Sequence, residues 1–197
     1  MNFYIGIDPS INSTGLTILK YDDQNLLIDE YFFIIKPDKL TRNEKNISIE
    51  NFQYIIYKKE KYKDLDNHLS EYYKTLNMIN IAENIINIIK TYTTKEDNIY
   101  ISMEGISYGS SLKTKSIYDL SGLNYLIRYL IIKNEHMKLI ICPPSEIKKF
   151  ASGLGNANKD ILISSFVMLY PSFKVISKLD DLVDSYYMAK YAYMNKQ

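Results

Sequence analysis

At 197 residues, with 46% hydrophobic and 24% charged side chains, the chain is long enough to bury one sizeable core and has the make-up of a soluble globular domain. A net charge of +1 excludes a global polycation, so any nucleic-acid site has to come from a local cluster of Lys and Arg. The one cysteine, Cys142, excludes an internal disulfide and fits a reducing compartment such as the cytoplasm.

Residues 2–8 read as a short, buried, apolar strand that ends in a carboxylate, Asp8. Alternation puts Asp8 on the face of Tyr4 and Gly6, with Ile5 and Ile7 on the other. Residues 9–13 form a turn, Thr14 to Tyr21 a second strand, Asp22-Asp23-Gln24-Asn25 a hairpin turn, and Leu26 to Ile35 a third strand. Residues 36–67 are polar and rich in Lys and Asn, and they read as an insertion. Phe52 to Tyr57 has β-like composition and could add a strand at the sheet edge. Residues 68–91 predict an amphipathic helix whose core stripe is Leu69, Tyr72, Leu76, Ile79, Ala82, Ile86 and Ile89. Asn98 to Glu104 is the fourth strand, again ending in an acid. Residues 105–115 are a Gly/Ser/Lys loop.

Residues 116–133 predict a helix with Leu120, Leu123, Ile127 and Leu130 on one face. Ile117, Leu126, Tyr129 and Ile131 make that face wider than one sheet needs, which fits either a dimer contact or deep burial. Met137 to Cys142 is the fifth strand, stopped by Pro143-Pro144. A short helical turn at 145–150, a helix over 157–170, a connector at 171–178 and a last helix from Leu179 complete the chain. The N-terminus lacks the charged region of a signal peptide, and no apolar run reaches about 18 residues, so no membrane contact is expected. The expected fold is α/β: one domain over 1–197, with a five-stranded mixed sheet flanked by helices. This is the element order of the ribonuclease H-like fold.

Four acids stand where this order would gather them. Asp8 and Glu104 end strands that share a sheet edge if they run parallel, and ligand sites in such sheets lie at the carboxyl ends of strands. Asp181 and Asp184 are three apart at the start of the last helix and project from one face. Carboxylates so placed suit hard divalent cations such as Mg²⁺ or Mn²⁺, and two such ions can drive phosphodiester hydrolysis. Taken singly, Asp8 is also a common turn former, and acids in a first helical turn are favoured by the helix dipole. Asp180 could replace Asp181 if the helix starts one residue earlier. His68 and His136 are isolated, and no Cys or His cluster offers a zinc site.

Basic residues flank this set. Lys148 and Lys149, the glycine loop Gly153-Leu154-Gly155 and Lys159 at a helix start would suit a phosphate backbone, as would Lys113 and Lys115 in the earlier loop. Together the motifs Ile5-Gly6-Ile7-Asp8-Pro9 with Thr14-Gly15, Met103-Glu104, Lys148 with residues 153–159, and Asp181-Leu182-Val183-Asp184 resemble RuvC-type Holliday junction resolvases, in character the compact viral and phage members. The resemblance covers most of the chain except residues 36–67. It implies a homodimer that binds four-way DNA junctions and makes paired nicks, with probable two-ion metal sites held by Asp8, Glu104, Asp181 and Asp184. It also implies Lys159 as a catalytic lysine, Lys148 and Lys149 as DNA contacts, and the cytoplasm, a host's if the protein is viral, as the place of action. Two departures are visible. Ser10 stands where the family often has Gly, and the aromatic expected three residues after the Glu is replaced by Ser107, with Tyr108 one later as the candidate for base stacking. Rival readings are a nuclease for flaps or RNA–DNA hybrids, an actin-like ATPase, and a non-catalytic junction-binding protein.

Overall fold

The protein is described by a computed structural model over residues 1–106, 116–143, 146–147 and 159–196. The strands are Asn2–Asp8 (β1), Thr14–Tyr21 (β2), Leu27–Pro37 (β3), Phe52–Tyr57 (β4), Asn98–Glu104 (β5) and Met137–Cys142 (β6). The helices are Arg42–Lys45 (α1), Asn67–Tyr92 (α2), Ser116–Lys133 (α3), Lys159–Leu169 (α4) and Leu179–Met194 (α5). A 3₁₀ turn, Pro171–Val175, occupies the connector before α5. Among the described residues no helix is long and apolar enough to cross a membrane.

The sheet runs β4-β3-β2-β1-β5-β6. It has six strands rather than five, because β4 pairs parallel with β3 and extends the edge. β1 is parallel to β5 and β5 to β6, while β2 is antiparallel to both β1 and β3. Five strands therefore deliver their carboxyl ends to one edge, and β2 alone runs against them.

Each face of the sheet has its own core. On one, Phe3, Ile5, Ile7, Ile18, Ile99 and Ile101 meet Ile81, Ile85 and Ile89 of α2 and Leu123, Ile127 and Ile131 of α3. The buried stripe of α2 differs from the expected one. Leu69 and Tyr72 are exposed, and Ile81 and Ile85 join Ala82, Ile86 and Ile89 against the sheet. The buried positions in the first turns of α2 are instead Lys74 and Asn77, which engage Glu71, Tyr62 and Glu60. On the other side, Tyr4, Leu19, Phe32 and Ile34 meet Phe166 of α4, Phe173, and Leu182, Tyr186, Met188 and Ala189 of α5.

Helix α5 sits on β1 and β2 with no side chain between them. A Cβ on Gly6 would lie 1.9 Å from the Ser185 carbonyl oxygen, and one on Gly15 would lie 2.0 Å from that of Asp181. Small residues at helical spacing, Ser185, Ala189 and Ala192, allow this approach, and all three are buried. The Thr17 and Ser185 hydroxyls share a hydrogen bond of 2.8 Å across the junction.

Residues 36–67, expected above as an insertion, contain α1 and β4 and lead into α2. Thr41 and Glu44 form a reciprocal cap on α1. The buried Glu44 carboxylate also accepts from Lys36 at 2.6 Å and from the Ser177 hydroxyl, which lies in the connector leading into α5. Burial pushes the Glu44 carboxyl up, but the bonds from Lys36, Ser177 and Thr41 outweigh it and hold it at about 2 against an ordinary 4.5.

Two predictions follow from this packing. Gly6→Ala and Gly15→Ala each destabilise by about 3 kcal/mol or more, measured by urea denaturation, because backbone has to move. A Gly15→Ala protein with unchanged stability contradicts the close approach. Because the folded pKa of Glu44 is depressed, its contribution is present above about pH 4.5 and lost as pH falls toward 2. Glu44→Gln is thus expected to cost up to about 3 kcal/mol at pH 7 and progressively less on acidification.

Candidate active site

Asp8 and Glu104 end adjacent parallel strands. Ile7 pairs with Met103 in register, so the two acids follow at equivalent positions. They also share a face. Tyr4 lies opposite Tyr100 and Gly6 opposite Ser102, which puts Asp8 and Glu104 on the side covered by α5. The Arg128 guanidinium on α3 donates to the Glu104 carbonyl at 3.2 Å, tying that strand end to the helix beneath it.

The other acids come from α5. The connector turns into this helix at Lys178, whose backbone is left-handed (φ 62°), and Asp180 and Asp181 occupy its first turn. Because the Asp181 carbonyl rests on Gly15, which pairs with Asp8 across β1 and β2, this first turn lies over the end of β1. The electrostatics record the result. Asp8 is held well above the usual carboxylate range, first by burial and then by the charges of Asp184, Asp181 and Glu104. Asp180 is not among these neighbours. It lies instead 3.2 Å from the Lys159 ammonium, which is also 3.0 Å from Asp184. Burial disfavours the charged form of Lys159, but the Asp184 and Asp180 carboxylates outweigh it and raise its pKa above the ordinary lysine value. Burial likewise raises Asp181, and the Asp180 charge adds to it.

Among the described residues no three carboxylate, imidazole or thiol side chains are gathered closely enough to enclose a cation. The chemistry of the donor set nonetheless fits a hard divalent ion. The donors near Asp8 are carboxylate oxygens, and their repulsion falls on Asp8, where a cation would relieve it. Lys159 supplies positive charge to one side of the set.

The turn after Asp8 is closed by its own residues. Thr14 Oγ1 donates to the Ser10 carbonyl at 2.8 Å and accepts from the Ser10 N–H at 3.1 Å. The insertion holds the turn from outside, with the Tyr57 hydroxyl donating to the Ile11 carbonyl at 3.2 Å and Lys59 Nζ 3.5 Å from Asn12 Oδ1. Sequence reasoning missed Arg128, Tyr57 and Lys59. It quoted Gly6 and Gly15 in motifs without their packing role, which the small-residue stripe of α5 could have signalled. Tyr108, Lys113, Lys115, Lys148 and Lys149 lie outside the described residues, as do Ser107 and the glycine loop at 153–155.

No protein-family model and no curated protein matches the chain. Solved structures do. Thermus thermophilus RuvC is similar with a TM-score of 0.60 at 13% identity, covering 98% of this chain and 96% of that one. The same organism's RuvC in complex with Holliday junction substrate gives 0.58 at 12% identity, covering 97% and 94%. The yeast mitochondrial Holliday junction resolvase Ydc2 gives 0.51 at 15% identity, covering 94% and 75%. The chain thus has the ribonuclease H-like fold in the form that RuvC takes, nearly end to end.

Proposed function

We propose that the protein is a metal-dependent endonuclease that cuts four-way DNA junctions by paired nicks. The observation that carries this reading is the convergence of Asp184, Asp181 and Glu104 on the buried Asp8 at the carboxyl edge of the sheet. The likeness to RuvC with a junction bound supports the substrate class.

Asp8, Glu104, Asp181 and Asp184 would hold one or two Mg²⁺ or Mn²⁺ ions, which when bound lower the pKa of a coordinated water and neutralise charge on the scissile phosphate. Asp8 is the central ligand, since it feels the other three acids. Asp181 is favoured over Asp180 because its charge, with those of Asp184 and Glu104, is among those that raise Asp8. Lys159 stays charged at neutral pH and stands at the N-terminus of α4, where backbone N–H groups and an ammonium together attract a phosphate. Arg128 keeps the end of β5, and with it Glu104, in place. Tyr108, Lys113, Lys115, Lys148 and Lys149 are proposed as further DNA contacts.

Paired nicks call for two sites, and a two-fold homodimer supplies them. Helix α3 supports this. Leu123, Ile127 and Ile131 are buried against the sheet, whereas Tyr118, Tyr125, Tyr129 and Ile132 are 57–78% exposed and recur at seven-, four- and three-residue spacing. That outer stripe is the surface we assign to the partner protomer.

Asp8→Asn is expected to slow single-turnover cleavage of a synthetic four-way junction by at least about 10³-fold. Junction binding should hold or tighten, because a charge that repels phosphate is gone. Cleavage at the parental rate removes Asp8 from the chemistry. The same substitution raises the melting temperature of the metal-free protein at pH 7. The folded pKa of Asp8 is raised, so its charge costs stability at neutral pH and ceases to as pH falls through that pKa. Millimolar Mn²⁺ should stabilise the parent and not the variant. Tyr125→Glu combined with Tyr129→Glu should yield a folded monomer in sedimentation, and a dimer that survives them lies elsewhere. Cleavage of flap, duplex and RNA–DNA hybrid substrates alongside the junction separates the proposed activity from the wider nuclease class.

A further inference from the structure

The insertion carries a cluster that the active site does not use. Residues 58–63 read Lys-Lys-Glu-Lys-Tyr-Lys, so four lysines stand within six residues of a chain whose net charge is +1. On the reading above, we propose that Lys58, Lys59, Lys61 and Lys63 form a second phosphate-binding surface that holds a DNA arm beside the scissile strand.

Topology puts the cluster on the working edge. It leaves the carboxyl end of β4, and β4 runs in the same direction as β1 and β5, whose ends carry Asp8 and Glu104. Three strand spacings separate β4 from β1, about 14 Å. The cluster is also joined to the site. Tyr57, immediately before it, donates to Ile11, and Lys59 reaches Asn12, both in the turn that follows Asp8.

The segment is presented on a fixed support. Asn77 of α2, only 2% exposed, accepts from the Glu60 N–H at 2.8 Å and donates to the Glu60 carbonyl at 3.0 Å. Lys74, also on α2, lies 5.8 Å from the centre of the Tyr62 ring. A buried amide spent on both backbone groups of one residue fixes the loop and leaves its lysines to the solvent side, where Lys58, Lys61 and Lys63 are exposed. The acids nearby are Glu60, which pairs with Lys58 at 3.5 Å, and Asp38 and Asp64, which share the adjacent cleft with Lys59, Lys61 and Lys63. Lysine ammoniums are point charges without the fork that reads base edges, so the surface fits the phosphate backbone and is indifferent to sequence. At about 3.4 Å of rise per nucleotide, 14 Å reaches phosphates about four base pairs from the cut.

The test replaces Lys58, Lys59, Lys61 and Lys63 with Gln and measures junction binding against salt concentration, with both proteins also carrying Asp8→Asn to prevent cleavage. Affinity should fall by about tenfold or more, and the log–log salt slope should flatten by about 0.9 per lost contact. The four Lys→Arg changes should restore both. In the background with Asp8 intact, replacing only Lys58, Lys61 and Lys63 with Gln, which keeps Lys59 on the turn after Asp8, should leave the single-turnover rate at saturating protein within about twofold. Neutral methylphosphonates three to five nucleotides from the nick should weaken the parent and leave the Gln protein unaffected. An unchanged slope overturns the proposal whether or not affinity changes: lowered affinity then points to a structural fault, and unchanged affinity to another acidic partner for the lysines. If the parent itself shows no salt-dependent junction binding, the nuclease reading falls and the arm contact falls with it.

Discussion

The structure depends on one contact of backbone against backbone. Helix α5 lies on β1 and β2 at Gly6 and Gly15, where even a methyl group would collide with the Ser185 and Asp181 carbonyls. Everything chemical at the sheet edge follows from this. The strands supply Asp8 and Glu104, the helix supplies Asp181 and Asp184, and only a helix seated this low brings the two pairs into mutual electrostatic range. The Thr17–Ser185 hydrogen bond satisfies the two hydroxyls trapped in the contact and sets the helix's position along the strands.

Bringing acids together works against folding. Burial and three neighbouring charges all raise Asp8, so the site is a local electrostatic fault in an otherwise well-packed molecule. Lys159 offsets part of it by bridging Asp184 and Asp180, and in doing so couples the start of α4 to the first turn of α5. The Glu44 network acts on the same helix from the other side. By bonding Ser177 it fastens the insertion to the connector that aims α5. Residues 36–67 are therefore part of the scaffold that positions α5.

Much of this was legible in the sequence, for identifiable reasons. Strands that end in Asp8 and Glu104 follow from apolar runs with a terminal acid, and Asp181 and Asp184 follow from helical spacing. What escaped depends on tertiary neighbours. Periodicity alone did not show which turns and which face of α2 meet the sheet, so Leu69 and Tyr72 looked like core and Ile81 and Ile85 did not. The edge strand β4 is expected from the β-like composition of Phe52 to Tyr57, and only its parallel pairing with β3 needed the structure. Arg128 read as one more charge on a helix. Its partner is a carbonyl 24 residues earlier, which no local pattern reveals.

The position of each strand in the sheet also orders its resistance to opening. β1 has a paired strand on either side and a core on each face, so its amides can exchange with solvent only when the whole domain unfolds. The charge strain of the acids is thus placed on the segment least able to yield to it. β4 and β6 are outer strands with one hydrogen-bonded neighbour each, so their amides are less protected than those of β1. Native-state exchange would divide the molecule into a slow centre that keeps the acids in register and a faster border.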